Sequence, residues 1–217
     1  MKRNTTERAI NHFDRTASQF DTIYTGKKSR FARTLDRLLR WDMVERLERT
    51  VAVVKDNPGA SVLDIGAGSG RFFLPMLQAG ASRIVAVEPA PQMVAIGQRL
   101  ADEANVAGKV EIILSTFLEA KVAGKCDVSI AIGLYDYIED PLPYLLKTRD
   151  LTLKAAVMTF PLAGGLRPAI RKVRLALRGC PVFFFTQNQI TNLLTKAGFS
   201  SHTLDRFGQL YFVVARP

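Results

Sequence analysis

Apolar residues in the first part of the chain recur at every third or fourth position, which is typical of amphipathic helices. The series comprises Phe13, Ala17, Phe20, Tyr24, Phe31, Leu35, Leu38, Leu39, Met43 and Leu47. We therefore predict two or three helices between residues 7 and 55, with a break near Thr25-Gly26. The sequence DNPGA at residues 56–60 has turn-forming chemistry and ends this segment.

Beyond residue 60, short apolar runs alternate with helical segments. The runs lie at residues 61–65, 83–87, 110–114, 128–132 and 155–160, and they predict buried strands. Helical spacing returns at residues 72–79, 91–104 and 142–150. Strands that alternate with helices predict βαβ units, and hence a parallel sheet with right-handed crossovers.

The last part of the chain predicts one more helix and a hairpin. Thr186 and Gln189 form a capping box that opens a helix, and Gly198 closes it. Residues 201–206 and 210–215 flank a turn at Phe207-Gly208, so we predict that an antiparallel pair of strands finishes the otherwise parallel sheet.

Length and composition favour one compact domain. The chain has 217 residues, of which 47% are hydrophobic and 23% charged. No run of about 18 apolar residues predicts a membrane span, and the polar first residues do not resemble a secretory signal. Cys126, Cys180, His12 and His202 lack the spacing of metal ligands, so we expect no metal site. We expect a soluble, cytoplasmic protein.

The net charge of +10 is unevenly distributed along the chain. Residues 1–50 carry 12 basic and 7 acidic side chains, residues 51–146 carry 7 and 11, and residues 147–217 carry 11 and 2. An acidic middle between basic ends is compatible with nucleic acid, an anionic membrane surface or an anionic small substrate as a partner.

A glycine-rich loop joins the first predicted strand to its helix. Gly66, Gly68 and Gly70 remove side chains where a ligand would touch the backbone. Position 71, where a dinucleotide-binding fingerprint has its third glycine, is Arg71, and no Lys-Ser/Thr pair of a P-loop follows. Glu88 ends the next strand, where a carboxylate can accept hydrogen bonds from ribose hydroxyls. The alternative is that the glycines are ordinary turns and Glu88 is a surface acid.

The sequence around this loop resembles the class I S-adenosylmethionine-dependent methyltransferases. The resemblance rests on Gly66-x-Gly68-x-Gly70 after Leu63-Asp64, with Glu88 ending the following strand. It implies an α/β fold with a Rossmann-like seven-stranded sheet, mostly parallel with a C-terminal antiparallel hairpin, helices on both faces and an N-terminal helical lid. We expect a single domain over residues 1–217, with the lid and N-terminal extension at 1–57. The catalytic sheet would occupy 58–217, with a basic helical insertion at about 161–182.

The same resemblance implies the roles of the cofactor residues. Asp64 would hold the methionine amino group of S-adenosylmethionine, and Glu88 would bind the ribose hydroxyls. The other implied cofactor contacts are Gly66, Ala67, Gly68, Gly70, Pro89, Met93, Thr116, Phe117 and Gly133. Thr116 stands where the family often has an acid that meets the adenine amine, so it would accept that hydrogen bond in its place.

The segment after the fourth predicted strand should face the reacting methyl group, because ligands of such sheets lie beyond the carboxyl ends of the strands. Asp136 is placed there to act as a general base, with Tyr135 as a substrate-binding residue and Tyr137 as a second catalytic residue. Asp136 could equally cap the next helix. An acceptor that is already a carboxylate would need no base.

Residues 13–24 are similar to the lid helix of many small-molecule methyltransferases. Phe20 and Tyr24 would then close over the cofactor, and lid closure would exclude water from the acceptor pocket. The alternative is that these aromatic residues only pack the helix onto the sheet.

The segment at residues 167–179 has Pro near a helix start, Gly at its end and five basic residues with no acid. Arg171 and Arg174 are candidates to bind an anionic acceptor, while docking on an anionic membrane or simple solvation are alternatives.

The sequence therefore predicts an S-adenosylmethionine-dependent methyltransferase whose acceptor is a small, anionic or amphipathic molecule, with O- or C-methylation favoured. One alternative is an RNA methyltransferase that uses the basic flanks, although no RNA-binding module is recognisable. Another is a protein that binds S-adenosylmethionine without catalysis. We expect no obligate protein partner.

Overall fold

The computed structural model describes residues 2–25, 30–164 and 180–217, and in the first two helices it describes the side chains of residues 5–17 and 43–55. The helices are α1 (Lys2–Thr25), α2 (Arg30–Lys55), α3 (Phe73–Gln78), α4 (Pro91–Glu103), α5 (Leu142–Leu151) and α6 (Gln187–Lys196), with 3-10 turns at Ala107–Lys109 and Tyr135–Tyr137. The strands are β1 (Ser61–Ile65), β2 (Arg83–Glu88), β3 (Val110–Leu114), β4 (Cys126–Ala131), β5 (Thr152–Pro161), β6 (Ser201–Phe207) and β7 (Leu210–Arg216).

The strands form one seven-stranded sheet in the order β3-β2-β1-β4-β5-β7-β6. The pairs among β1 to β5 are parallel, whereas β7 pairs antiparallel with both β5 and β6. The reversal of strand order between β1 and β4 creates the crevice in which such sheets bind ligands. The predicted α/β fold with its antiparallel C-terminal hairpin is confirmed.

Both faces of the sheet are covered. Neighbouring residues of β1 belong to different core clusters, because successive side chains of a strand point to opposite faces. Leu63 packs in a cluster that includes Leu145 of α5 and Leu194 of α6, whereas Val62 packs with residues of α2, α3 and α4. The capping box of α6 is also confirmed, since Thr186 accepts from the backbone of Gln189 and the Gln189 side chain accepts from the backbone of Thr186.

Two strands begin earlier than their apolar runs predict. β4 begins at Cys126 and β5 at Thr152. The backbone N–H of Ser61 donates to Oδ2 of Asp127 over 2.9 Å, and Nζ of Lys154 lies 2.9 Å from the other oxygen of Asp127. These polar residues extend both strands at the amino edge of the sheet by pairing with one another. A search for apolar runs cannot detect such an extension.

No helix in the described part of the chain has the length and apolar character that a membrane span requires.

Candidate cofactor and acceptor site

A cavity of about 290 Å³ lies at the carboxyl ends of β1, β2 and β4. Its floor includes Gly66, Ala67 and Gly68 of the glycine loop, and its roof is formed by α1. The roof residues are Thr6, Ala9, Ile10 and Phe13. The structure therefore places the glycine loop and α1 on opposite sides of one cavity.

The glycine loop is fastened to the end of β2. Gly66 (φ 72°) donates its N–H to the carbonyl of Val87 over 2.8 Å, and Gly68 (φ 55°) donates to Oε2 of Glu88 over 2.8 Å. Positive φ is readily adopted by glycine and costs energy for other residues, which explains these two positions. Oε1 of Glu88 accepts from the N–H of Ala90 over 3.0 Å. Glu88 is thus held by the backbone on both sides, with its carboxylate lining the cavity.

Asp64 and Glu88 are buried acids of neighbouring strands. Burial, and to a smaller extent the nearby charge of Glu88, raise the pKa of Asp64 to about 8. Burial also raises the pKa of Glu88, although the N–H groups of Ala90 and Gly68 act in the opposite direction. Oδ2 of Asp64 has no hydrogen-bond partner among the described residues. A buried carboxylate oxygen without a donor is costly, and Asp64 itself is not among the described residues that line the cavity.

Gly70 has a local role that differs from the predicted one. It is not among the described residues that line the cavity. A Cβ at Gly70 would lie 2.4 Å from Cε2 of Phe73, and its φ is 73°. Gly70 therefore permits the turn into α3 and its close packing on Phe73. The predicted cofactor contact at Gly70 stays a prediction.

The predicted adenine side of the cavity is lined by Pro89, Met93, Thr116 and Phe117. Oγ1 of Thr116 donates to Oε2 of Glu119 over 2.7 Å. Since that bond uses the hydroxyl hydrogen, the remaining lone pairs of Thr116 can only accept. This polarity suits an adenine amine, which is a donor.

The loop after β4, residues 133–137, places some side chains in the cavity and others in the core. Gly133 and Tyr137 line the cavity, and Tyr137 meets Phe13 of α1 edge-on at 4.8 Å between ring centroids. Tyr135 is fully buried and stacks on Phe160 at 4.4 Å, because the 3-10 turn directs it into the core. The expectation that Tyr135 binds substrate is therefore corrected to a packing role.

Asp136 is 4% exposed and is not among the described residues that line the cavity. Its backbone carbonyl accepts from the N–H of Phe183 over 2.8 Å, so it connects the loop after β4 to residues 180–185. The structure thus brings Tyr137, but not the Asp136 side chain, to the cavity.

Four predicted site side chains lie outside the described residues. They are those of Phe20 and Tyr24 in α1 and of Arg171 and Arg174 in the insertion. Their predicted roles stay predictions.

Sequence reasoning missed several residues at the cavity. Met43, Arg71 and Tyr144 line it, and Nη1 of Arg46 lies 3.6 Å from where a Cβ of Gly133 would stand. Arg46 is one of many basic residues in the N-terminal segment, and only its approach to Gly133, just after β4, distinguishes it.

Comparison with known proteins establishes the family. A family model described as "Methyltransferase domain" matches residues 31–204. The chain belongs to this family. Over 81 residues it is 37% identical to a ribosomal protein L11 methyltransferase of Pelotomaculum thermopropionicum, and over 110 residues 36% identical to a histone-arginine methyltransferase of Drosophila ananassae. These segments cover 37% and 50% of this chain, but only 26% and 20% of the two relatives.

The chain has the same fold as magnesium protoporphyrin IX methyltransferase from Synechocystis PCC 6803, in a crystal structure with bound S-adenosylhomocysteine (SAH). The TM-score is 0.77 at 21% sequence identity, over 98% of this chain and 99% of that chain. The same protein is known with bound S-adenosylmethionine. The chain thus shares the fold of a methyltransferase that binds S-adenosylmethionine.

The residues present fit this cofactor. Glu88 offers a backbone-anchored carboxylate, and Asp64 offers an oxygen that lacks a donor. A Cβ at Gly66 would stand 3.1 Å from Cδ1 of Leu134, so the glycine keeps the floor of the cavity open. In the implied arrangement Glu88 would hold the ribose and Asp64 the amino group.

Proposed function

We propose that this methyltransferase acts on a small, anionic or amphipathic molecule and that the atom it methylates is a carboxylate oxygen. The proposal rests on which titratable side chains line the cavity. Among the described lining residues, Glu88 is the one carboxylate, and no lining residue is histidine. Glu88 is committed to the two backbone N–H groups and, as we propose, to the ribose.

An acceptor that must lose a proton needs a base within hydrogen-bond reach. The lining phenols of Tyr137 and Tyr144 are poor bases, since tyrosine ordinarily ionises near pH 10 and burial raises the pKa of Tyr144 further. A carboxylate is already an anionic nucleophile at neutral pH. The described cavity wall therefore suits an acceptor that arrives deprotonated.

The bound cofactor supplies a methyl group that its sulfonium has already activated. What remains for the chain is to align the acceptor and to exclude water, which can contribute several kcal/mol to lowering the barrier. Gly133 and Tyr137 at the end of β4 would position the acceptor oxygen. Phe13 and Ile10 of α1 cover the cavity and keep it dry.

An amphipathic acceptor is supported by a second cavity beside the acceptor loop. It has a volume of about 440 Å³, and five of its lining residues form the apolar stretch from Pro181 to Phe185. This stretch adjoins the loop through the bond from Phe183 to Asp136. The structural neighbour named for magnesium protoporphyrin IX is consistent with a bulky acceptor of this kind. Arg171 and Arg174 are proposed to meet its anionic group.

The experiment is methyl transfer from S-adenosylmethionine with a tritiated methyl group into a cell extract that is then separated into small metabolites, lipid, RNA and protein. We expect the label among small metabolites or lipids. We also expect mild alkali to release it as volatile methanol, because methyl esters hydrolyse under these conditions and methyl ethers and C-methyl groups do not. Label confined to RNA or protein would overturn the acceptor class, and alkali-stable label would overturn the carboxylate. SAH binding without label in any fraction would favour a non-catalytic protein.

A further inference from the structure

Among the described residues that line the second cavity, one side chain is charged. The cavity has a volume of about 440 Å³, and its lining residues are Glu139, Gln189 and the apolar stretch from Pro181 to Phe185. No described basic side chain is among them. Glu139 is an exposed residue, so its carboxylate meets solvent as well as the cavity. The described wall of this cavity is therefore apolar with a single negative charge.

Glu139 lies at the boundary between the second cavity and the first, which has a volume of about 290 Å³. Ile138 lines the first cavity and Glu139 lines the second, although consecutive Cα atoms are only about 3.8 Å apart. The first helix repeats this arrangement, because Thr6 lines the first cavity and the hydroxyl of Thr5 donates to Oε2 of Glu139 over 3.3 Å. An acceptor that occupies both cavities must therefore pass close to the Glu139 carboxylate.

The apolar wall of the second cavity is fixed to the core of the sheet. The N–H of Phe183 donates to the carbonyl of Asp136 over 2.8 Å, and the N–H of Phe185 donates to the carbonyl of Pro161 over 2.9 Å. The ring of Phe185 meets that of Phe160 edge-on at 5.4 Å between centroids. The cavity therefore presents a preformed aromatic surface, which suits a bulky apolar group.

The neutral polar residue of this wall, Gln189, does not offset the charge of Glu139. Its Oε1 accepts from the N–H of Thr186 over 2.8 Å and from the Thr186 hydroxyl over 3.1 Å. Its NH₂ group is then the part that donates to a ligand, and a carbonyl or hydroxyl oxygen suits such a donor. An anionic group in this cavity would lose hydration beside a negative charge, with no described cation in the wall, which is unfavourable.

We propose that Glu139 is a specificity-determining residue that limits the second cavity to an apolar, uncharged end of the methyl acceptor. Like charges within a few ångström repel one another, so a second carboxylate beside Glu139 weakens binding. The preferred acceptor is a monoacid, whose carboxylate reaches Gly133 and Tyr137 in the first cavity and whose apolar end packs on residues 183–185. A dicarboxylate of the same size is disfavoured. This inference rests on the proposed function, in which the acceptor uses both cavities.

The test compares two fluorescent probes that differ in one charge. The anionic probe is 8-anilinonaphthalene-1-sulfonate, and the neutral probe, N-phenyl-1-naphthylamine, has the same rings without the sulfonate. Both are titrated at saturating SAH against the full chain and its variants Glu139→Gln, Phe184→Ala and Glu103→Gln. Phe184→Ala removes apolar surface from the second cavity. Glu103→Gln is the matched control, because it removes the same charge at an exposed residue that lines neither cavity.

We expect Glu139→Gln to strengthen binding of the anionic probe about 5- to 20-fold and to leave the affinity for the neutral probe within about twofold of wild type. For the anionic probe, the difference between Glu139→Gln and wild type should shrink as the salt concentration rises from about 0.05 M to about 0.5 M, because salt screens the repulsion. Phe184→Ala should weaken binding of both probes. Glu103→Gln should bind both probes as wild type does.

Equal changes for both probes in Glu139→Gln would overturn the proposal, because they would indicate altered packing and not selection by charge. An unchanged affinity for the anionic probe would also overturn it, as would a gain that Glu103→Gln reproduces. If neither probe bound, or if Phe184→Ala left both affinities unchanged, the second cavity would not be the apolar site proposed. Probe binding requires no methyl transfer, so label confined to RNA or protein in the extract would refute the proposed acceptor class and leave the probe result standing.

Discussion

Asp14 of the lid helix accepts a hydrogen bond at Oδ1 from the backbone N–H of Gln92 over 2.9 Å. Gln92 is the second residue of α4, whose N-cap position is Ala90 and has no side-chain cap of its own. α1 thus supplies the carboxylate that the N-terminus of α4 favours. Because Pro89 and Met93 beside this turn line the cavity, the bond fastens α1 over the cavity.

We expect Asp14→Ala to loosen the closed lid. Loss of an N-cap hydrogen bond costs about 1 kcal/mol, which corresponds to about a fivefold faster dissociation of SAH if the bond forms only in the closed state. Stopped-flow displacement of SAH measures this rate. Asp14→Asn should show a smaller effect, since asparagine also caps helices well. Glu7→Gln, at an exposed position of the same helix, is the control. Equal dissociation rates in Asp14→Ala and wild type would contradict the assignment.

Glu88→Ala should abolish most of the cofactor affinity. The substitution removes the proposed ribose contacts and frees the N–H groups of Gly68 and Ala90, so we expect SAH binding to weaken by about 100-fold or more. Glu88→Gln should also bind poorly, because the amide NH₂ would face one of those N–H donors. Glu103→Gln, in an exposed ion pair with Arg99, controls for a lost surface charge. Unchanged affinity in Glu88→Ala would refute the cofactor role of this residue.

The sequence predicts most helices and strands well because they follow the spacing of apolar residues along the chain. β1 and β3 have the predicted bounds, since each is an apolar run closed by turn residues. The glycine loop and Glu88 were found because their spacing reflects backbone geometry that only glycine accepts easily, together with a carboxylate at a strand end. These features depend on residues that are near one another in the sequence.

The missed features depend on contacts between distant segments. Tyr135 and Tyr137 look equivalent in the sequence, yet the 3-10 turn sends one against Phe160 and the other into the cavity. Arg46 and Asp14 can be singled out only when the structure brings Arg46 beside Gly133 and lays α1 against α4. The spacing of residues within one segment of the sequence does not predict contacts between distant segments. Tertiary contact therefore decided which of several similar side chains belongs to the site.

Gly70→Ala should destabilise the fold more than a glycine substitution of similar backbone geometry. Gly70 has φ 73° and its Cβ would collide with Phe73, whereas Gly124 has φ 76° and nothing within 4 Å of the added atom. Both substitutions impose strain from positive φ, of the order of 1 kcal/mol. Gly70→Ala adds a clash, for which we expect about 1–3 kcal/mol more. Urea unfolding of the two variants measures the difference, and equal losses would show that the Phe73 ring moves aside at no cost.

The raised pKa of Asp64 makes the stability of the ligand-free protein depend on pH. In the unfolded chain this carboxyl has a pKa near 3.8, and burial raises the pKa to about 8 in the folded protein. The folded state therefore favours the protonated form. The contribution of Asp64 to the free energy of unfolding is fully present below pH 4 and is lost as the pH rises through about 8. Asp64→Asn, which cannot ionise, should flatten this part of the stability profile. A profile with the same slope in the variant would contradict the assignment.

Cofactor binding should make Asp64 release a proton to the solvent. An ammonium group beside Asp64 favours the carboxylate, so the pKa falls on binding and the site releases a proton when the pH is below about 8. We expect SAH affinity to rise with pH between 6 and 8, by up to about tenfold per pH unit. Calorimetry in two buffers with different ionisation enthalpies at pH 7 measures the released proton directly. Asp64→Asn should bind SAH more weakly and release fewer protons, and Glu88, whose pKa burial also raises, accounts for any remainder. Proton release that is the same in Asp64→Asn and wild type would place the titrating group elsewhere in the cavity.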